Sequence, residues 1–362
     1  MGDEPSLPSP LWIRTPCIYS EPLSKAAGCN IFLKLENLQP SGSFKSRGIG
    51  NLISRTAAKA SSASPARTPH FYCSSGGNAG LACITAAASL SLPATIVVPH
   101  STSPRMISLI RDLGAEVHQV GASWVEADVY MRESLMAADP SAVYVPPFDH
   151  PDIWSGAATL VDELVDQMAA GGTIHGVVCS VGGGGLLNGV MQGIDRLNWP
   201  AGQKPRVMAV ETDGADSLNL CARTGKHATL DAITSIATSL GARKVSAESY
   251  AWLSKAKGGD LTSVVVRDWE AALSCARFAD DARFVVEAAC GATIATAYFG
   301  AEDGQHRLQR AFERPGLEWR DHNVVLVVCG GSNVTLGMLE EYRVKYGTEA
   351  GIGRQDEVLC RL

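Results

Sequence analysis

GVVCSVGGGGLLNGVMQGIDRL, residues 176–197, is the stretch whose reading decides the fold. Its first six residues are a short Val-rich run, the composition of a strand buried on both faces of a parallel sheet. Gly182 to Gly185 follow as an unbroken turn, and a helix is predicted over residues 186–197. Working outward, comparable apolar runs recur at 31–35, 70–73, 94–98, 142–145, 207–210 and 324–329. Helices predicted over 102–113, 124–137, 157–168 and 268–279 separate them. Strands alternating with helices build βαβ units and doubly wound sheets, so the fold class is α/β. Residues 57–68, AAKASSASPART, read as a surface loop, and Pro146, Pro147 and Pro151 as a crossing between two lobes. No internal repeat of fixed period stands out.

Three glycine-rich turns follow predicted strands: Ser74 to Gly80 (SSGGNAG), Gly182 to Gly185, and Cys329 to Asn333 (CGGSN). Ligands of open α/β sheets bind at the carboxyl ends of strands, where all three turns fall. Four glycines allow close backbone approach, and their N–H groups join a helix N-terminus, so Gly182 to Gly185 fit a phosphate or another anion. Tight packing alone is the plainer alternative. The turn is neither a dinucleotide fingerprint, since Leu187 and Asn188 occupy the last glycine position in the two frames, nor a Walker A loop. PSGSFKSRG, residues 40–48, places Lys45 in a Ser/Gly turn beside Phe44. Alone, that lysine reads as a solvated charge. Combined with a phosphate cradle and an Asn-bearing turn, it is the equipment for pyridoxal phosphate, whose aldehyde needs an amine partner.

Composition excludes other classes. The chain of 362 residues carries 31 Lys+Arg against 37 Asp+Glu, a net charge of −6, with 6% aromatic residues. A net negative chain without a basic cluster argues against a nucleic-acid partner. Ten cysteines form no C-x-x-C pair and eight histidines no HExxH, so a reducing compartment and no structural metal are expected. The N-terminus lacks a signal-peptide pattern, and no apolar stretch reaches the ~20 residues of a membrane span. Met1-Gly2 with Ser6 formally matches a myristoylation pattern, but one acyl chain without a polybasic patch anchors weakly. Cys360-Arg361-Leu362 resembles a peroxisomal ending, a minor alternative to the expected cytoplasmic location.

Taken in order, FLKLENLQPSGSFKSRG (32–48), CSSGGNAG, PATIVVP, VPPFDHPDIWSG, SVGGGGLLNGV, AVET, EAACGA and VVCGGSN resemble the fold type II pyridoxal-phosphate enzymes. The resemblance is to their L-serine dehydratase/L-threonine deaminase branch and covers nearly the whole chain. It implies a fold like the tryptophan synthase β chain, two doubly wound parallel-sheet lobes with the cofactor between them. The large domain is expected at 1–38 plus 152–362, and a small domain closing over substrate at 39–151. Lys45 would carry the cofactor aldehyde and, with Ser75, form the catalytic pair. Phe44 would lie against the pyridine ring, Asn78 would bind its hydroxyl, and Cys329 would face its nitrogen. Gly182, Gly183, Gly184, Gly185 and Leu186 would hold the phosphate. Ser75 with Gly76, Gly77, Asn78 and Ala79 would grip the substrate carboxylate, and Glu211, Ala215 and Ser217 match a monovalent cation site, for example for potassium.

The resemblance further implies elimination of water from L-serine and L-threonine, giving a 2-keto acid and ammonia, by a homodimer. A thiol rather than a carboxylate at the pyridine nitrogen favours elimination over transamination. Related serine racemases carry a hydroxyl at the position of Gly76, so racemisation is disfavoured here. Family members with alanine there are the more efficient dehydratases, so modest turnover, raised by Gly76→Ala, is expected. Ala288 replaces a usual proline; it either reshapes the pocket or alters only unfolded-state entropy. With 33 residues after Cys329, an amino-acid-binding regulatory domain is not expected. Two alternatives stay open: β-elimination or β-replacement on a bulkier amino acid, for which Gly76 and Ala288 would leave space, and a low-activity amino-acid sensor.

Overall fold

The computed structural model describes residues 9–63, 65, 67–168, 172–256, 258–302 and 305–347. Its strands are β1 (Cys17–Tyr19), β2 (Asn30–Lys34), β3 (His70–Cys73), β4 (Ala94–Val98), β5 (Glu116–Gln119) and β6 (Ala142–Tyr144). They continue with β7 (Gly176–Ser180), β8 (Arg206–Thr212), β9 (Leu261–Val266), the short pair β10 (Ala301–Glu302) and β11 (Gln305–His306), and β12 (Asn323–Val327). Two parallel sheets form, confirming the α/β class: a four-stranded sheet ordered β5-β4-β3-β6 and a six-stranded sheet ordered β1-β2-β12-β7-β8-β9. Only β1 runs antiparallel within them, against β2. The Val/Ile runs behave as their composition dictates, and every residue of β4, β7 and β12 is buried.

Among the described residues the chain divides into two compact units, one of residues 39–157 with 9–14, the other of 15–38 with 158–347. The expected division at 1–38 plus 152–362 and 39–151 is corrected at both ends. Ile13 donates its N–H to Gln39 Oε1 at 3.0 Å and its carbonyl accepts from Gln39 Nε2 at 2.9 Å, while Leu11 lies against Gly50. The helix Pro151–Met168 begins in the first unit, because a Cβ at Gly48 would stand 2.7 Å from Ile153 and one at Gly156 would overlap the Arg47 carbonyl. Only glycine allows that approach. Met1, Gly2, Ser6 and the tripeptide ending at Leu362 lie outside the described residues.

Three further local readings change. The helix Lys45–Ser61 absorbs the start of the expected 57–68 loop. The segment expected as one helix over 124–137 is α-helical at Trp124–Tyr130 and π-wound at Met131–Met136. β5 and β9 were not anticipated. Among the described residues, no helix is long and apolar enough to cross a membrane.

A histidine pair marks the end of the second sheet opposite the glycine turns. The His175 and His322 rings lie 4.8 Å apart, and Asn323 N donates to His175 Nδ1 at 2.9 Å. Burial, then the charges of His322 and Arg314, push His175 down to about 4 from an ordinary 6.5. The folded state therefore favours the neutral ring. Its contribution to stability is complete above pH 6.5 and is lost as the pH falls toward 4, by up to about 3 kcal/mol. Thermal unfolding of His175→Asn, which keeps an acceptor without a titrating ring, is expected to depend less steeply on pH in this window. Equal slopes for the two proteins would contradict this.

Candidate active site

In the first unit the PSGSFKSRG turn is organised by Ser46, whose Oγ accepts from Ser41 N at 3.1 Å and lies 2.8 Å from Ser41 Oγ. The turn ends in the helix that Lys45 opens, with Phe44 as its N-cap. Lys45 Nζ donates to the Pro147 carbonyl at 2.8 Å and stands 5.0 Å from the Phe44 ring centroid. Pro147 lies three residues beyond Tyr144, which pairs with Tyr72 in the parallel β6–β3 ladder. Residues Ser74 to Gly77 leave β3 at that same carboxyl edge and lead into the helix Asn78–Ser89. Lys45 and the Ser75-Gly76-Gly77-Asn78-Ala79 turn thus share one sheet edge, where α/β ligands bind. Ser75 Oγ accepts from Gly77 N at 3.3 Å, and Asn78 and Ala79 are buried in the helix's first turn.

The second unit places its expected residues at the carboxyl edge of its own sheet. Gly182 follows β7, and the helix Gly185–Asp195 starts with Gly184 as N-cap at φ 97°. Leu186 is buried. Cys329 follows β12 and its Sγ lies 3.4 Å from Ser180 Oγ. Its neighbours are neutral thiols. Burial pushes Cys179 up to about 12, and burial with the adjacent Cys329 raises Cys290 well above the ordinary thiol range. At the end of β8, Glu211 is fully buried, and its two oxygens accept from Leu218 N at 2.8 Å and Asn219 N at 2.7 Å. Burial, only partly offset by these bonds, pushes its carboxyl up to about 8. Ala215 is buried beside it in the chain, and Ser217 Oγ is buried without a partner among the described residues.

The description "pyridoxal-phosphate dependent enzyme" matches residues 8–330. The chain belongs to that family. It is 42% identical to a mouse protein named serine dehydratase-like, over 92% of this chain and 94% of that protein. It is 40% identical to a catabolic L-serine/threonine dehydratase of Saccharomyces cerevisiae, over 87% of this chain and 86% of that one. Among solved structures it resembles a fungal L-serine ammonia-lyase from Rhizomucor miehei, with a TM-score of 0.80 at 35% identity, covering 93% of this chain and 99% of that chain.

The residues present fit the cofactor this family name implies. A Cβ at Gly182 would come within 3.0 Å of Leu240 Cα and 3.1 Å of Ser239 O, so a side chain there would press on that backbone, whereas glycine packs against it without strain. The amides opening the Gly185–Asp195 helix have no carbonyl one turn back and are free in direction to meet an anion. A primary amine, Lys45, stands at a carboxyl edge of the other sheet.

Gly76 does not leave the space expected of it. A Cβ at Gly76 would meet Thr102 Cγ2 at 2.5 Å and Oγ1 at 2.9 Å, so Thr102, a residue not anticipated, already fills that volume. Alanine at 76 therefore acts partly by displacing Thr102. Ala288 opens the helix Ala288–Tyr298 after an extended Glu287 (ψ 164°), a geometry that proline at this position would also adopt, so its loss leaves the helix start in place. Two other groups were missed. Glu287 is buried, accepts from Asn333 N at 3.1 Å and packs where a Cβ on Gly331 would overlap it, bracing the turn after Cys329. Asp128 is buried and accepts from Ser74 Oγ at 2.6 Å and Tyr144 OH at 3.1 Å, tying down the residue before Ser75.

Proposed function

We propose that the chain is a lyase that removes water from L-serine, and also from L-threonine, to give pyruvate or 2-oxobutanoate and ammonia. The observation that carries this reading is the lysine amine held at the same sheet edge as the Ser75–Asn78 turn. The relatives named serine and threonine dehydratases support it. When bound, pyridoxal phosphate supplies an aldehyde that links to amines and a conjugated ring that accepts the electron pair left at Cα. Lys45 Nζ is the group that would take the Cα proton, a role that requires its neutral form. Phe44 would flank the ring. Ser75 Oγ and the amides of Gly76, Gly77, Asn78 and Ala79 would bind and orient the substrate carboxylate. Gly182, Gly183, Gly184, Gly185 and Leu186 would bind the phosphate, Asn78 the ring hydroxyl, and the Cys329 thiol would face the ring nitrogen. A panel of amino acids assayed for keto-acid release tests the substrate class. The highest kcat/KM is expected for L-serine, and a preference for a larger β-substituted amino acid would favour β-replacement instead.

We further propose a monovalent cation at Glu211, the Ala215 carbonyl and Ser217, supported by the buried Glu211 side chain and the buried Ser217 hydroxyl, which has no hydrogen-bond partner among the described residues. Replacing KCl by tetramethylammonium chloride at equal ionic strength is expected to lower Tm and activity together, since that ion's charge is shielded by methyl groups and offers oxygen ligands no bare cation. Indifference to the exchange would count against the site.

A further inference from the structure

Behind the glycine turn lies a closed ring of polar side chains that the reaction does not use. Ser246 Oγ and Ser249 Oγ are 2.9 Å apart, Ser249 Oγ donates to Asn188 Oδ1 at 2.7 Å, and Asn188 Nδ2 donates to Ser246 Oγ at 3.0 Å. Because the Ser249 proton is committed to Asn188, Ser246 donates to Ser249, and each side chain both gives and receives. Asn188 and Ser249 are fully buried and Ser246 nearly so. The helix that carries Asn188 buries Leu186, Leu187, Val190 and Met191 as well, and in a buried setting such a ring gains little over hydrocarbon unless it fixes something.

What it touches is the turn. Ser246 N donates to the Gly183 carbonyl at 3.0 Å, and Asn188 N donates to the Gly184 carbonyl at 2.8 Å. Ser249 Oγ fills the place that a side chain on Gly184 would take. In a planar trans peptide the carbonyl and the following N–H point in opposite directions. Holding the Gly183 carbonyl on the Ser246 side therefore turns the Gly184 N–H away from it, and holding the Gly184 carbonyl does the same for the Gly185 N–H.

We propose that the Asn188–Ser246–Ser249 ring is the positioning device of the phosphate cradle, aiming the Gly184 and Gly185 amides at a phosphate monoester. This rests on the reading that Gly182 to Gly185 take the cofactor phosphate. The three side chains touch no phosphate themselves. They act through the backbone.

The test compares apo wild type and Ser249→Ala for their affinity toward pyridoxal phosphate and toward pyridoxal, which lacks the phosphate, with the Tm of each apoprotein. Because Ser249→Ala leaves Asn188 without its donor and Ser246 without its acceptor, the triple variant Asn188→Leu/Ser246→Ala/Ser249→Ala, which removes every member of the ring, is measured beside it. Both variants are expected to bind pyridoxal phosphate at least tenfold more weakly, with pyridoxal affinity unchanged within twofold. Unchanged pyridoxal phosphate affinity, or an equal loss for both ligands, would overturn the proposal and leave the ring a packing feature, whatever happens to Tm. A wild type that binds the two ligands equally would instead overturn the phosphate reading of the turn, and the ring's role with it.

Discussion

Lys45→Ala is expected to abolish keto-acid formation from L-serine, with a loss on the order of 10⁴-fold or more. One amine would carry both the covalent link to the cofactor and the proton at Cα, so its removal costs a nucleophile and a base together. The amine is fixed by the Pro147 carbonyl at 2.8 Å, and the adjacent side chains of the turn are Phe44 and Ser46. The variant should still fold, because Lys45 opens its helix and alanine is a better helix former. An absorbance spectrum of the purified protein checks the cause: the variant should lack the band of a lysine-linked cofactor while retaining the melting behaviour of the apoprotein. Substantial activity in Lys45→Ala would remove this lysine from the reaction.

Gly184→Ala should weaken pyridoxal phosphate binding by more than 100-fold. At φ 97° a side chain costs about 1–2 kcal/mol of backbone strain, and here the added Cβ would also overlap Ser249 Oγ. Relief requires either the backbone or the Asn188–Ser246–Ser249 ring to move, and each route turns the cradle amides. A hundredfold loss corresponds to about 2.8 kcal/mol, within the ~1.5–3 kcal/mol that a single amide-to-phosphate hydrogen bond carries, so turning the cradle amides away suffices. Dialysis followed by cofactor titration reads the effect, and near-normal retention would show that the turn's conformation is not what holds the phosphate.

The legibility of this protein in its sequence follows physical lines. β4, β7 and β12 were readable because strands buried on both faces are written as Val/Ile runs. β5, EVHQ, was not: it lies at an edge of its sheet with exposed and half-buried positions, so no apolar run marks it. The Lys45–Ser61 helix was obscured by its Gly48 and Gly50, which serve close packing rather than helix formation. The glycine turns were legible because a close backbone approach leaves a compositional mark. Thr102, Asp128, Glu287 and the Asn188–Ser246–Ser249 ring left none, since their meaning lies in contacts between segments far apart in the chain. The second unit's N-terminal boundary was misjudged for a similar reason: the Ile13–Gln39 bonds that draw residues 9–14 to the first unit are visible only in three dimensions.

The most direct measurement is the release of pyruvate and ammonia from L-serine by the pyridoxal-phosphate-loaded protein, followed together in one reaction. The elimination reading predicts the two products in equal amounts from the first turnover, with no amino acceptor added. Cofactor bound through Lys45 with neither product formed, or hydroxypyruvate formed only with a 2-keto acid acceptor and without ammonia, would contradict it.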